Sequence, residues 1–471
     1  MLARLPAPLR AAGLYAGAMV WTKGLGLLLL PVITALLPAA EYGRMEFLCS
    51  AAEIAALVAG AGLVDTLYRF GSEPGSAGRR SAAQVAGLAL MVSLGGLGLA
   101  LLLSPLGALL PMPATTTEVA LLGVTVALEA AIGVPLAWLR MQGRAAHYAA
   151  LVVARGTLHS ALLALLLWQG FGVAGMLAAG AVGSLLAALA LMGSQARSTG
   201  IRLAPNAWKH LLAYGLPLTA GGLASFFLGT ADRWFLAGTV SAAELGQYAL
   251  AAKLGLVMAF LTQPFDLWFY PRRIALYGTA TGPGQVAKLS ATGAAVTLCA
   301  AALAALAGPL LIRWATPAAY HGAAGYVPWL CAALALQSLG SLFNIGCYLQ
   351  RTGRQSLLVN GGAGLVALAA YAVLIPRCGV AGAVAATLLA QAARLVWFAW
   401  LSQRSAPLAY GFGRVALLGL ACAAVAALPQ LLAPLPTLAM APAALVCLAT
   451  LAVRLGLLPR PRLGTARLVL G

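Results

Sequence analysis

Nine charged residues lie deep inside long apolar stretches of the chain, where charges are rare. Five are basic and four are acidic: Lys23, Arg155, Arg233, Lys253 and Arg394, and Glu53, Glu129, Asp232 and Asp266. Five uncompensated cations in an apolar medium would cost roughly 12–18 kcal/mol, which is comparable to a whole protein's stability. They must therefore face water or pair with acids. An anionic ligand that suits several such cations is a phosphate or pyrophosphate group.

The stretches that carry these residues are typical of membrane-spanning helices. Of 471 residues, 62% are hydrophobic and 8% are charged, which leaves too little polar surface for a soluble protein of this size. Because a bilayer core takes about 20 helical residues, the sequence predicts an all-α polytopic membrane protein with fourteen spans. The predicted spans are 12–37, 43–68, 82–103, 118–139, 147–169, 172–194, 210–238, 244–270, 287–312, 325–349, 356–375, 379–401, 415–433 and 437–457.

The net charge of +19 comes largely from basic residues at the ends of the apolar stretches. With a cytoplasmic N-terminus, 21 of them fall on the cytoplasmic side and three, Arg44, Arg313 and Arg377, on the other. Lys and Arg accumulate in the cytoplasmic loops of membrane proteins. We therefore expect both termini to be cytoplasmic, and the charge does not indicate a nucleic-acid partner.

Three short segments of the first half recur in the second half, at offsets of 203, 210 and 207 residues. The duplication predicts two pseudo-symmetric six-helix lobes, 1–200 and 201–405, followed by two further spans and a cytoplasmic tail in 406–471. Parallel repeats of this kind place a binding site between the lobes and expose it alternately to each side, which favours transport over a scaffold role. The matching segments are 38–45 with 241–248, 139–144 with 349–354, and 172–175 with 379–382.

The deep charges do not recur between the two copies: Lys23 maps to Phe226, and Lys253 maps to Ser50. Internal ion pairs, for example Arg233 with Asp232, are the alternative interpretation, but a structural role would more naturally use matching positions. We therefore predict that the five cations line one central cavity as substrate-binding residues. The four acids either couple transport to a proton or sodium gradient or orient nearby arginines.

Several motifs carry a resemblance to a known family. They include Lys23-Gly24, Tyr42-Gly43, Tyr68-Arg69-Phe70, Tyr214-Gly215-Leu216-Pro217, Asp232-Arg233, Gly246-Gln-Tyr248 and Lys253. This pattern resembles the polysaccharide transporter family, the Wzx-type lipid-linked oligosaccharide flippases of the multidrug/oligosaccharidyl-lipid/polysaccharide exporter superfamily. The resemblance implies a bacterial inner-membrane flippase that moves an undecaprenyl-pyrophosphate-linked sugar outward, for exopolysaccharide, O-antigen or capsule biosynthesis. It also implies contact with membrane lipids and with a polymerase or other polysaccharide-assembly proteins.

Two other functions remain open. A multidrug-type cation-coupled exporter of the same superfamily would favour an acidic cavity, whereas the deep charges here lean basic. A membrane polysaccharide polymerase or ligase, which is an enzyme, would typically carry a large external loop, and no predicted external loop exceeds about 15 residues. The sequence has no G-x-x-x-x-G-K-[ST] loop for ATP, and its seven cysteines form no C-x-x-C pair. We predict no catalytic residues, metal or cofactor.

Overall fold

The structure is a computed structural model that describes residues 7–270, 272–349, 354–431 and 434–458. Within these ranges the chain is built of helices and turns and contains no strand. This confirms the predicted all-α class. The contacts divide the chain into two compact units, Met1–Gly246 and Gln247–Gly471.

The first unit contains eleven α-helices within its described residues, and a short 3₁₀ helix (Ser104–Leu109) follows the fifth. The helices are α1 (Ala7–Leu28), α2 (Leu30–Leu36), α3 (Ala39–Gly60), α4 (Leu63–Phe70), α5 (Ser76–Leu103), α6 (Thr116–Ala127), α7 (Glu129–Met141), α8 (Ala145–Trp168), α9 (Gly172–Ser198), α10 (Pro205–Gly229) and α11 (Asp232–Ala237).

The second unit begins within α12, whose first turn still belongs to the first unit. A 3₁₀ helix (Ala318–Gly325) precedes α15, and α17 consists of two helices that meet at Gly379, whose φ of 54° and ψ of −132° are not helical. The helices are α12 (Ala242–Phe269), α13 (Arg273–Tyr277), α14 (Gly282–Ala315), α15 (Val327–Leu342), α16 (Ile345–Leu349), α17 (Arg354–Ser405), α18 (Phe412–Leu431) and α19 (Pro434–Arg454).

Most of these helices are long and apolar. Within the described residues, nine candidate spans are able to cross a membrane by length and composition, and ten if the 3₁₀ helix and α15, which meet at 46°, form one broken span. Over the residues that the structure describes, each predicted span coincides with one helix, with two consecutive helices, or with one half of α17; residues 432 and 433 of the predicted span 415–433 lie outside them. The multi-pass architecture is confirmed. The count of fourteen crossings and the lobe boundaries at 200 and 405 stay predictions.

Several spans of the first unit are broken into two helices. The break between α1 and α2 falls at Leu29, two residues before Pro31, which cannot donate a helical hydrogen bond. The break between α3 and α4 falls at Ala61 and Gly62, whose φ angles are 44° and 63°. Ala61 is the one non-glycine residue with positive φ in the described chain. A left-handed alanine is strained, so the surrounding packing must hold this break in place.

The first helical turns of α3 and α12 approach so closely that only glycine fits. A Cβ atom on Gly43 would overlap the carbonyl oxygen of Ala242, and one on Gly246 would overlap the carbonyl oxygen of Ala39. The repeat offset of 203 residues carries Ala39 to Ala242 and Gly43 to Gly246. The contact is therefore reciprocal, with each copy of one segment packing its glycine on the other.

A second backbone contact joins the far end of α3 to α10. A Cβ atom on Gly62 would overlap the carbonyl oxygen of Gly215, and one on Gly215 would overlap the carbonyl oxygen of Ala61. The strained Ala61–Gly62 break is thus the place where α10 packs directly on the backbone.

Candidate functional site

Arg155 of α8 lines a cavity of about 500 Å³ in the first unit, between α1, α7, α8 and α9. His159 lies one turn further along the same helix face and lines the same cavity. The guanidinium Nη2 of Arg155 donates to the hydroxyl of Ser184 on α9 at 3.3 Å. In the described part of the chain no carboxylate lies within ion-pair distance of Arg155. The predicted site residue Arg155 therefore faces a largely apolar cavity with a neutral partner.

Arg233 is compensated by acids. Its Nη1 lies 3.5 Å from Oδ1 of Asp232, and its Nε lies 4.0 Å from Oε2 of Glu46 on α3. Asp232 begins α11 and also accepts a hydrogen bond from the backbone N–H of Arg233 at 2.8 Å, as expected of an acid at a helix N-terminus. The pairing of Arg233 with Asp232, considered above as the alternative to a ligand site, is present. Sequence reasoning missed Glu46 because it precedes the deep part of its predicted span.

The other predicted residues differ in exposure. Lys23 of α1 and Glu53 of α3 are exposed within their spans, whereas Glu129 of α7 and Lys253 and Asp266 of α12 are half-buried. Arg155 donates to Ser184 of α9, whereas Arg233 pairs with Asp232 of α11 and Glu46 of α3. That all five cations line one cavity stays a prediction.

Arg394 lies in the second half of α17, among neutral acceptors. Its Nε donates to the side-chain oxygen of Asn360 at 2.9 Å, and its Nη1 donates to the carbonyl oxygen of Gln337 on α15 at 3.1 Å. The Asn360 amide nitrogen in turn donates to Ser356 at 3.3 Å, which orients the acceptor. The ring of Phe398 lies 4.9 Å from the guanidinium carbon. A cation is thus held at membrane depth by uncharged groups.

Arg273 is a second cation of the same unit, and it is buried. It begins α13 and is only 7% exposed. Its Nη1 donates to the carbonyl oxygen of Ser341 and to the side-chain oxygen of Asn344, both at 2.9 Å. The rings of Tyr270 and Tyr348 lie 4.7 Å and 5.1 Å from its guanidinium carbon. Burial lowers the pKa of Arg273 from its usual value, because the charged form loses its water.

From sequence alone, Arg273 belongs with the cytoplasmic loop charges. It follows Arg272 directly, and a pair of arginines after an apolar span is the ordinary mark of a cytoplasmic end. One feature of the sequence does indicate a partner for a buried arginine: the predicted span 325–349 contains several polar residues, among them Ser341 and Asn344.

Each unit also contains an apolar groove. In the second unit a groove of about 620 Å³ lies between α14, α15, the second half of α17 and α18. In the first unit a groove of about 600 Å³ lies between α3, α5 and α6. Their walls are mainly Ala, Leu, Val and Gly side chains, which offer nothing to a polar ligand. In the described chain no three His, Cys, Asp or Glu side chains cluster as metal ligands would.

Comparison with known proteins gives a family and a fold. The model of a family described as "Polysaccharide biosynthesis protein" matches residues 9–265, more than half of the chain. A search of curated proteins finds no match.

Among solved structures, the lipid II flippase MurJ in an inward closed conformation superimposes with a TM-score of 0.74 at 11% identity, over 94% of this chain and 99% of that chain. The MATE multidrug transporter DinF-BH gives 0.58 at 14% identity, over 82% and 92%. An inward-facing multidrug resistance MATE family transporter of the MOP superfamily gives 0.56 at 16%, over 81% and 94%. At these identities the similarity concerns the fold.

Proposed function

The chain belongs to the polysaccharide biosynthesis protein family, and from this premise we propose that it is a flippase for a polyprenyl-pyrophosphate-linked oligosaccharide. It moves this substrate from the cytoplasmic to the outer leaflet of the bacterial inner membrane by alternating access. The pathway that it serves is exopolysaccharide, O-antigen or capsule biosynthesis. Both termini lie in the cytoplasm, and the protein carries out transport rather than an enzymatic reaction. The fold shared with a lipid II flippase supports a lipid-linked substrate.

The observation that carries this proposal is that two deep arginines have neutral hydrogen-bond partners. Arg155 and Arg394 are held by a hydroxyl, an amide oxygen and a backbone carbonyl rather than by carboxylates among the described residues. A buried cation without an acid gains free energy when an anion arrives. A carrier of cationic drugs needs the opposite, a deep acid that is available to its ligand. Of the four deep acids, Asp232 is already engaged by Arg233, which also pairs with Glu46 near the start of α3.

The lipid part of the substrate suits the apolar grooves. Their walls bury hydrocarbon at little cost, and a polyprenyl chain is hydrocarbon throughout. The membrane potential also favours the proposed direction. Moving about two negative charges outward across about 100 mV, inside negative, is favourable by about 4–5 kcal/mol.

The test is complementation in a strain that lacks its own copy of this protein. Arg155→Gln and Arg394→Gln should each reduce surface polysaccharide at least about tenfold, because each removes a charge-assisted contact to the anion. Arg404→Gln is the matched control, since Arg404 lies in the same half of α17 but is exposed and stacks on Trp400. Immunoblots of the membrane fraction establish that all variants are inserted in equal amounts.

Full polysaccharide production by both variants would refute the proposal. Resistance to cationic dyes that depends on the protein, without any polysaccharide phenotype, would favour the multidrug exporter instead.

A further inference from the structure

Arg273 is buried with most of its donors unused. A guanidinium group has five N–H donors, and the two hydrogen bonds of Arg273 both start from Nη1. Neither Nε nor Nη2 makes a hydrogen bond to any described residue, and no described carboxylate lies within 4.0 Å. Asp266 is close enough to act on Tyr270, but among the described residues it pairs with neither Arg273 nor Arg394. A cation placed in this way is poorly explained by a structural role.

The surroundings of Arg273 add further donors. Tyr410 is 2% exposed, and its hydroxyl lies near Ser402 without making a hydrogen bond of acceptable geometry to any described group. Burial raises the pKa of Tyr410 to about 12, so the phenol stays protonated at neutral pH. Tyr410 is also within electrostatic range of Arg273. The cluster therefore contains a buried O–H donor that lacks an acceptor, beside a cation that lacks an anion.

Arg273 of α13 and Arg394 of α17 both donate to backbone carbonyls of α15. They donate to the carbonyls of Ser341 and Gln337, which are one helical turn apart, about 6 Å along the axis. Both guanidinium groups also act on the same two phenols, Tyr270 and Tyr348. Tyr348 is 40% exposed and Arg394 is half-buried, so the cluster can be reached from that side.

We infer that Arg273 and Arg394, together with the hydroxyl of Tyr410, form a binding site for the diphosphate group of a polyprenyl diphosphate. The site lies within the second unit. Among the described residues, Arg273 keeps a free edge, Nε and Nη2, that can bind one phosphate through two N–H groups, and Arg394 keeps Nη2 for the linked phosphate. This inference rests on the proposed function and names residues that hold the charged end of its substrate.

The test measures binding to the purified full-length chain in a non-ionic detergent, with geranylgeranyl diphosphate as the probe. Arg273→Gln and Arg394→Gln should weaken binding by about tenfold to a hundredfold, as expected for the loss of charge-assisted hydrogen bonds. Binding of geranylgeraniol, which has the same tail and no phosphate, should not change. Arg272→Gln is the matched control: Arg272 is adjacent and exposed, and it donates to the carbonyl of Trp268 in its own chain segment.

Competition distinguishes the possible sources of phosphate. Inorganic pyrophosphate should displace the probe from the wild type, and it should require a higher concentration to displace the probe from Arg273→Gln. Cardiolipin should not compete. Competition by cardiolipin equal to that of geranylgeranyl diphosphate would show a phospholipid site and overturn the inference.

The remaining outcomes are also decisive. Arg273→Lys keeps the charge and loses the fork, so it should bind with intermediate affinity and provides a second variant if Arg273→Gln does not fold. Wild-type affinity in a folded Arg273→Gln variant would overturn the inference while leaving the flippase proposal intact. Binding that depends on Arg273, in a protein that moves no lipid-linked oligosaccharide across proteoliposomes, would refute the proposed function and uphold the site.

Discussion

Replacing Gly43 by alanine perturbs the reciprocal contact between the starts of α3 and α12. The added Cβ would overlap the carbonyl oxygen of Ala242 and lie 2.7 Å from the backbone nitrogen of Gly246. Both are backbone atoms, so no change of rotamer relieves the overlap. One of the two helices has to move.

The size of the effect follows from two opposing contributions. Overpacking costs about 1–3 kcal/mol, and a clash with rigid backbone belongs at the upper end of that range. Replacing a helical glycine by alanine returns up to about 1 kcal/mol. The net loss is therefore about 2 kcal/mol, which reduces the population of the described arrangement about thirtyfold.

Thermal unfolding of the purified protein measures this loss. For a unit of 246 residues, about 2 kcal/mol corresponds to a decrease in Tm of about 4–8 °C. Gly246→Ala should give a similar decrease, because the repeat makes the contact reciprocal. Gly60→Ala is the matched control, since Gly60 ends the same helix and a Cβ there would have no atom within 4 Å. If Gly43→Ala and Gly246→Ala melt at or above the temperature of Gly60→Ala, the reasoning from close backbone approach is wrong.

Three further substitutions probe the packing of each unit by thermal unfolding. Glu118→Gln should cost about 2 kcal/mol, because Glu118 is buried and pairs with Arg44 through two 2.9 Å contacts; a Tm equal to wild type would contradict this. Glu46→Gln should cost about 3 kcal/mol, the lower end of the range for removing one partner of a buried ion pair, because Glu46 is buried and Asp232 still pairs with Arg233; a Tm equal to wild type would contradict this. Gly346→Ala should cost about 1–3 kcal/mol, because the added Cβ would overlap the backbone carbonyl oxygen of Ser402 in α17. An unchanged Tm would show that α17 can shift to make room for the methyl group.

The helices of this fold could be predicted because hydropathy is a local property. Each span carries its own apolar run, and Gly379, which separates the two halves of α17, is the first residue of the predicted span 379–401. The break at Ala61 could not be predicted, since alanine favours helix and nothing in the local sequence indicates a left-handed residue. That conformation depends on the approach of α10, which is a tertiary contact.

Only some residues of the candidate site can be predicted from the sequence. Arg394 can be identified because a charge is conspicuous in an apolar span. Arg273 cannot, because an arginine buried by folding looks the same in sequence as one left at a membrane surface. The pairing of Arg233 with Glu46 depends on how α11 packs on α3, and spacing along the chain carries no information about it.

The most direct test of the central claim is lipid translocation in proteoliposomes that contain the purified protein. The substrate is a fluorescent polyprenyl-diphosphate-linked oligosaccharide, and a membrane-impermeant quencher reports the fraction that reaches the outer leaflet. We expect translocation well above that of protein-free liposomes, with a large loss in the Arg155→Gln and Arg394→Gln variants and none in Arg404→Gln. Translocation no faster than in empty liposomes, or equal rates in all variants, would contradict this expectation.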